Sequence, residues 1–154
     1  MGTRIVVAAA LSAMLGVTSA AQVSKPAGAQ LTPAIVDPAV AIQKSLAKDS
    51  LAGVKGNAEI IARESTTRLD PPSPAIAKAA QALRGAATLA GARTAFGGLS
   101  VAIVDYMHAN KLTLDPRIHV AYCPMADRPW LQAGTVVANP YYGTAMPTCG
   151  SIRQ

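Results

Sequence analysis

The chain has 154 residues, a formal net charge of +6, 51% hydrophobic residues and only 4% aromatic ones. That length supports one core-bearing domain and leaves too little for two comfortable ones. Its positive residues from Lys44 to Arg93 are spaced singly along expected helices rather than gathered on one face, and aromatics are few, so a nucleic-acid-binding surface is not expected.

The first segment, MGTRIVVAAALSAMLGVTSAAQ, places Arg4 before an apolar run from Ile5 to Val17 and then small residues. This is the pattern of a secretory signal peptide. The run is well short of the roughly 18–20 residues that span a bilayer, so a retained membrane anchor is not expected. Cleavage after Ala20, Ala21 or Ala29 fits the small-x-small rule, and no cysteine lies nearby to take a lipid. Residues 1–29 are therefore read as a signal peptide and the product as exported, in a bacterial cell to the periplasm. Losing Arg4 and Lys25 lowers the formal charge by two.

Residues 30–37 read as an extended arm flanked by Pro33 and Pro38. Asp37 as N-cap with Pro38 at the first helical position starts a helix, with Ala39, Ile42 and Leu46 at helical spacing up to about Lys48. Asp49 or Ser50 caps a second helix over about 51–67, with Leu51, Val54, Ala58, Ile61 and Ser65 inward, although Gly53 and Gly56 weaken its first turns. DPPSP at 70–74 is a break. Ser73 then caps a third helix with Pro74 at its start, running to about Leu89 with Ile76, Ala80, Leu83 and Ala87 on one face. Gly91 interrupts before a fourth helix over about 92–110, which carries Ala92, Phe96, Leu99, Ile103 and Tyr106 inward. Met107 fills the core there and His108 faces solvent near the helix end.

The expected fold is mainly α: an antiparallel four-helix bundle over 38–110, followed by an irregular C-terminal extension over 111–154 that contains a short strand or hairpin and packs on the bundle. IHVAYC at 118–123 alternates, with Ile118, Val120 and Tyr122 on one face and His119, Ala121 and Cys123 on the other. Beyond it, prolines at 124, 129, 140 and 147 and glycines at 134, 143 and 150 forbid a long helix.

Both cysteines of the chain lie in this extension, each beside a proline and a methionine: Cys123-Pro124-Met125 and Met146-Pro147-Thr148-Cys149. Two readings compete. In an oxidising compartment the pair forms a bridge closing a loop of about 27 residues, worth about 3.5 kcal/mol on chain entropy. Alternatively, two thiolates and two thioethers make a soft donor set suited to Cu(I) or Ag(I). Residues two apart on a strand lie about 6.6 Å apart on one face, so Cys123 and Met125 converge only if Pro124 kinks the chain, and a turn at Pro147 is needed to converge Met146 with Cys149. His119, about 13 Å from Cys123 along an extended strand, is too far to share the ion. No haem-attachment, zinc-protease, phosphate-loop or nucleophile-elbow motif occurs. Asp105 and Asp115 stand alone, Glu59 and Glu64 look like surface residues, and an enzyme is not expected.

The ordered string Cys-Pro-Met-Ala, Trp130-Leu131, Asn139-Pro140-Tyr141, Met146 and Cys149-Gly150, after AFGGLSVAIVDYM, resembles a bacterial domain of unknown function. That domain occurs as small exported proteins and at the C-terminus of periplasmic adaptor proteins of heavy-metal (copper/silver) efflux pumps. The resemblance implies metal-facing positions at Cys123, Met125, Met146 and Cys149, with Trp130, Asn139, Pro140, Tyr141 and Gly143 shaping the loop. It also implies an adaptor or efflux component as partner. Tyr122 stands where family members often carry a histidine.

Overall fold

The computed structural model describes residues 1–2 and 29–153; the expected signal peptide falls almost wholly outside the described residues. Four helices, α1 (Pro33–Ala47), α2 (Val54–Thr67), α3 (Pro74–Arg84) and α4 (Leu89–Ala109), precede three short strands, β1 (Ile118–Cys123), β2 (Arg128–Ala133) and β3 (Ser151–Arg153). The fold is thus mainly helical with a small C-terminal sheet. Among the described residues no helix is long and apolar enough to cross a membrane.

The first helix begins five residues before the expected Asp37–Pro38 start. Thr32 caps it, accepting the Ala34 N–H, and Pro33 occupies its first turn, so Pro38 lies inside the helix. An interior proline forfeits one backbone bond. The burial of Ile35 and Val36 offsets this loss, because it continues the Ala39, Ile42 and Leu46 stripe upstream. The arm is extended only around residues 29–31, where Leu31 N–H donates to the Thr113 carbonyl at 2.9 Å and Thr113 N–H to that of Ala29 at 3.0 Å.

Helix α2 starts at Val54 rather than 51. Gly53, at φ 72°, holds the left-handed turn before it, and Leu51 is exposed rather than inward. Val54, Ala58, Ile61 and Ser65 are buried as expected. Ser73 does cap α3, accepting the Ile76 N–H at 3.3 Å, but the helix stops at Arg84 before Gly85 and leaves Ala87 exposed. Thr88 then caps α4 by accepting the Gly91 N–H at 3.1 Å, so Gly91 sits in the first turn instead of breaking the chain. Met107 is buried and His108 exposed. The Tyr106 hydroxyl donates to the Pro71 carbonyl at 2.9 Å, tying α4 to the turn between α2 and α3.

Helix α2 packs against α1 and α3, α3 against α4, and β2 lies across both α1 and α4. Glu64 is largely covered and pairs with Arg63 at 2.9 Å and Arg68 at 3.4 Å, and Asp115 is held by Arg117 at 2.8 Å rather than standing alone.

The sheet is antiparallel in the order β2-β1-β3, with Ala121 opposite Trp130 and Cys123 opposite Arg128. Pro129 obscures β2 in the sequence, but this is an edge strand, where a missing donor is tolerated. Alternation in β1 shows only at its end: Ala121 and Cys123 are fully buried around a half-buried Tyr122, whereas His119, expected on the face of Ala121 and Cys123, is half-buried like Ile118 and Val120.

Candidate dithiol site

Cys123 ends β1, and the next four residues turn the chain into β2. Asp127 takes a positive φ of 50° at the end of this turn, and its carboxylate accepts from the Tyr122 hydroxyl. The turn points the Ala126 N–H at the Cys123 sulfur, 3.5 Å away.

Cys149 approaches from the other side. A short 3-10 turn over Gly143–Ala145 leads to Met146, whose carbonyl accepts the Cys149 N–H at 3.3 Å across Pro147. The two sulfurs lie 3.4 Å apart as free thiols, Cys123 fully buried and Cys149 partly exposed. The fold thus brings together two residues separated by 26 positions in sequence.

Their ionisation is uneven. Burial opposes a thiolate at Cys123, but the Ala126 N–H, the Cys149 thiol, the Asn139 amide and the Met125 N–H together outweigh it and hold this thiol below its ordinary pKa. Cys149 is pushed up, first because it donates its hydrogen bond to Cys123 and then by burial. Of the two sulfurs, the buried one is therefore the first to lose its proton.

Asn139 fixes the approach. Fully buried, it donates through Nδ2 to the Cys149 carbonyl at 2.6 Å and accepts the N–H groups of Tyr141 at 2.7 Å and Tyr142 at 3.1 Å. Its own N–H donates to the Pro147 carbonyl at 2.8 Å, so one residue joins both ends of the 139–149 loop. Pro140, buried beside it, offers its carbonyl to Arg93 Nε at 3.0 Å.

An aromatic wall backs the site. Trp130 is fully buried with Tyr141 edge-on at 5.8 Å, and Tyr141 leans on Phe96 of α4 at 6.0 Å. The Tyr141 hydroxyl donates to the Pro129 carbonyl, and burial pushes its pKa well above the phenol range. Trp130 Nε1 donates to Gln132 Oε1 at 3.0 Å, while the Gln132 amide donates to the carbonyls of Gly134 and Val136 at 3.0 and 2.9 Å. Gly150, at φ 138°, lies so close to Trp130 that a Cβ there would stand 2.8 Å from the indole.

A second cluster, without local sequence signature, pins the loop to the helices. Arg93 Nη2 donates to the Leu46 carbonyl at 3.1 Å, capping the end of α1, and pairs with Asp49. Asp49 in turn accepts from the Thr144 hydroxyl and backbone N–H. Gly143, at φ 54°, leaves room for this pair: a Cβ would land on the Asp49 carboxylate and the Arg93 guanidinium. Gln43 of α1 adds a bond from its amide to the Ala138 carbonyl at 2.6 Å.

Of the four proposed sulfur donors, the two thiols meet. Met125 sits at the hairpin tip with 61% of its surface exposed, and Met146 is half-buried at the end of the 3-10 turn. Among the described residues no three His, Cys, Asp or Glu side chains cluster as a metal site. Comparison with protein-family models, with curated proteins and with solved structures gave no match.

Proposed function

We propose that this chain is an exported soft-metal-binding domain whose Cys123–Cys149 pair takes Cu(I) or Ag(I) as cargo, buffering it or handing it to an efflux system. The observation carrying this reading is the convergence of the pair: two sulfurs 3.4 Å apart, with Cys123 surrounded by N–H donors that favour its thiolate. Thiolates select soft ions, and a pair of them suits an ion of low coordination number better than one that needs four donors. Met125, exposed beside the pair in sequence, is a thioether suited to first capture, and Met146 to completing the coordination.

In this reading Trp130 and Tyr141 keep water from the buried face, and the four helices form an antiparallel up-and-down bundle that carries the sheet. The resemblance to the domain of copper and silver efflux adaptors supports the same assignment and a periplasmic partner of that kind.

The sulfur separation favours a second reading as well, a structural or docking module closed by a Cys123–Cys149 bridge that binds no metal. The two cannot hold in one molecule at once, since bridging consumes both thiolates. Equilibrium competition between the reduced protein and a Cu(I) chelator separates them. The metal reading predicts one ion per chain, lost in both Cys123→Ser and Cys149→Ser. Full retention of binding by either variant, or no uptake by reduced protein, leaves only the bridge.

A further inference from the structure

A groove of about 420 Å³ separates the start of α4 from the C-terminal extension. Arg93, Thr94 and Gly97 form one wall and Arg128, Tyr141 and Tyr142 the other, and no acidic residue lines it. The two arginines are not equivalent. Arg93 is committed to Asp49, to the Leu46 carbonyl and to that of Pro140.

Arg128 is different. Its stem lies on α4 in the notch left by the missing side chain of Gly97, where a Cβ would stand 3.3 Å from its Cγ and 3.4 Å from its Cδ. Its Nη1 donates to the Asp127 carbonyl at 2.9 Å, while the Asp127 carboxylate is taken by Tyr122. Among the described residues Arg128 makes no ion pair. Its positive charge also acts on Tyr141, partly countering the rise that burial imposes on that phenol. A guanidinium seated by its stem, anchored by one nitrogen and without a carboxylate partner, is preorganised for an anion from outside. The ring of Tyr141 and the surfaces of Ala90 and Ala126 give the same groove an apolar side.

We propose that this groove binds a small oxyanion, a carboxylate or phosphate carried on an apolar body, with Arg128 as its charged anchor. Neither cysteine lines the groove, so the proposal stands apart from the metal reading. Amide spectra of the full chain, titrated with phenyl phosphate, with benzoate and with neutral benzyl alcohol, test it.

The expected result is saturable shifts at Thr94, Gly97 and Ala126 with the two anions and not with the alcohol; the tighter anion identifies which oxyanion the groove prefers. Arg128→Gln is expected to weaken binding about tenfold, the loss of one charge-assisted contact, and Arg128→Lys less so. Arg128 is exposed, so both variants should keep the native near-ultraviolet signal of Trp130. Shifts that do not saturate, that the alcohol reproduces, or that survive unchanged in Arg128→Gln overturn the proposal.

Discussion

Replacing Asn139 by alanine removes three hydrogen bonds at once: the donation to the Cys149 carbonyl and the two bonds accepted from Tyr141 and Tyr142. Each costs about 1 kcal/mol net, and more where the partner left behind is buried without water, so the expected loss is about 3–5 kcal/mol. That is a large fraction of the roughly 5–15 kcal/mol that holds a domain of this size together. A second effect is chemical. Asn139 is one of the donors favouring the Cys123 thiolate, so the thiol pKa should rise toward its ordinary value. Urea unfolding followed by Trp130 fluorescence measures the first effect, and the pH dependence of the ultraviolet thiolate absorbance the second. Asn139→Asp, which keeps the Oδ1 acceptor of both N–H bonds but sets a carboxylate oxygen against the Cys149 carbonyl, should also destabilise. A loss below about 1 kcal/mol together with an unchanged thiolate absorbance profile would show that Asn139 does not organise the loop.

Gly143→Ala should destabilise by about 2 kcal/mol or more, from left-handed strain and the collision with Asp49 and Arg93; a melting temperature equal to that of the parent would contradict the packing described. Oxidation of the reduced chain with a mild thiol oxidant should close an intramolecular bridge and stabilise it by about 3.5 kcal/mol in urea. Disulfide-linked dimers in place of that shift would mean the thiols do not meet. The Thr144 hydroxyl, and after it Arg93, hold the Asp49 carboxyl below the usual aspartate pKa. Its contribution to stability is therefore complete above the unfolded value near 3.8 and lost as the pH falls through the lower folded one. Melting temperatures between pH 6 and pH 2.5 should show this acid limb in the parent and a shallower one in Asp49→Asn; parallel curves would remove Asp49 from the account.

The sequence shows its helices where capping and periodicity agree and misplaces them where tertiary burial decides the start. Ser73–Pro74 is unambiguous, and the structure uses it. Asp37–Pro38 is the start expected from the sequence, but the structure starts the helix at Thr32–Pro33, which buries Ile35 and Val36, a tertiary effect. Strand β2 is hidden by Pro129, whose acceptability depends on lying at a sheet edge, which only the finished topology reveals.

At the site, the two cysteines are legible because the chain has no others. Pairing the methionines with them is an argument from short spacing, and at Met125 it meets a hairpin tip that leaves the side chain exposed. Asn139 stands out only through the resemblance, since nothing in its local sequence marks it as the residue spanning the loop. The Arg93–Asp49–Thr144 cluster joins positions 44 and 95 residues apart and carries no local mark at all.

The proposed metal site depends on two thiols presenting a common point to a soft ion. X-ray absorption at the copper edge, on reduced protein loaded with one equivalent of Cu(I), reads that point directly. Two sulfur neighbours at thiolate distance, with a longer thioether contact where a methionine joins, are the predicted result. Copper surrounded by nitrogen or oxygen, or a spectrum unchanged when both cysteines are replaced by serine, would contradict it.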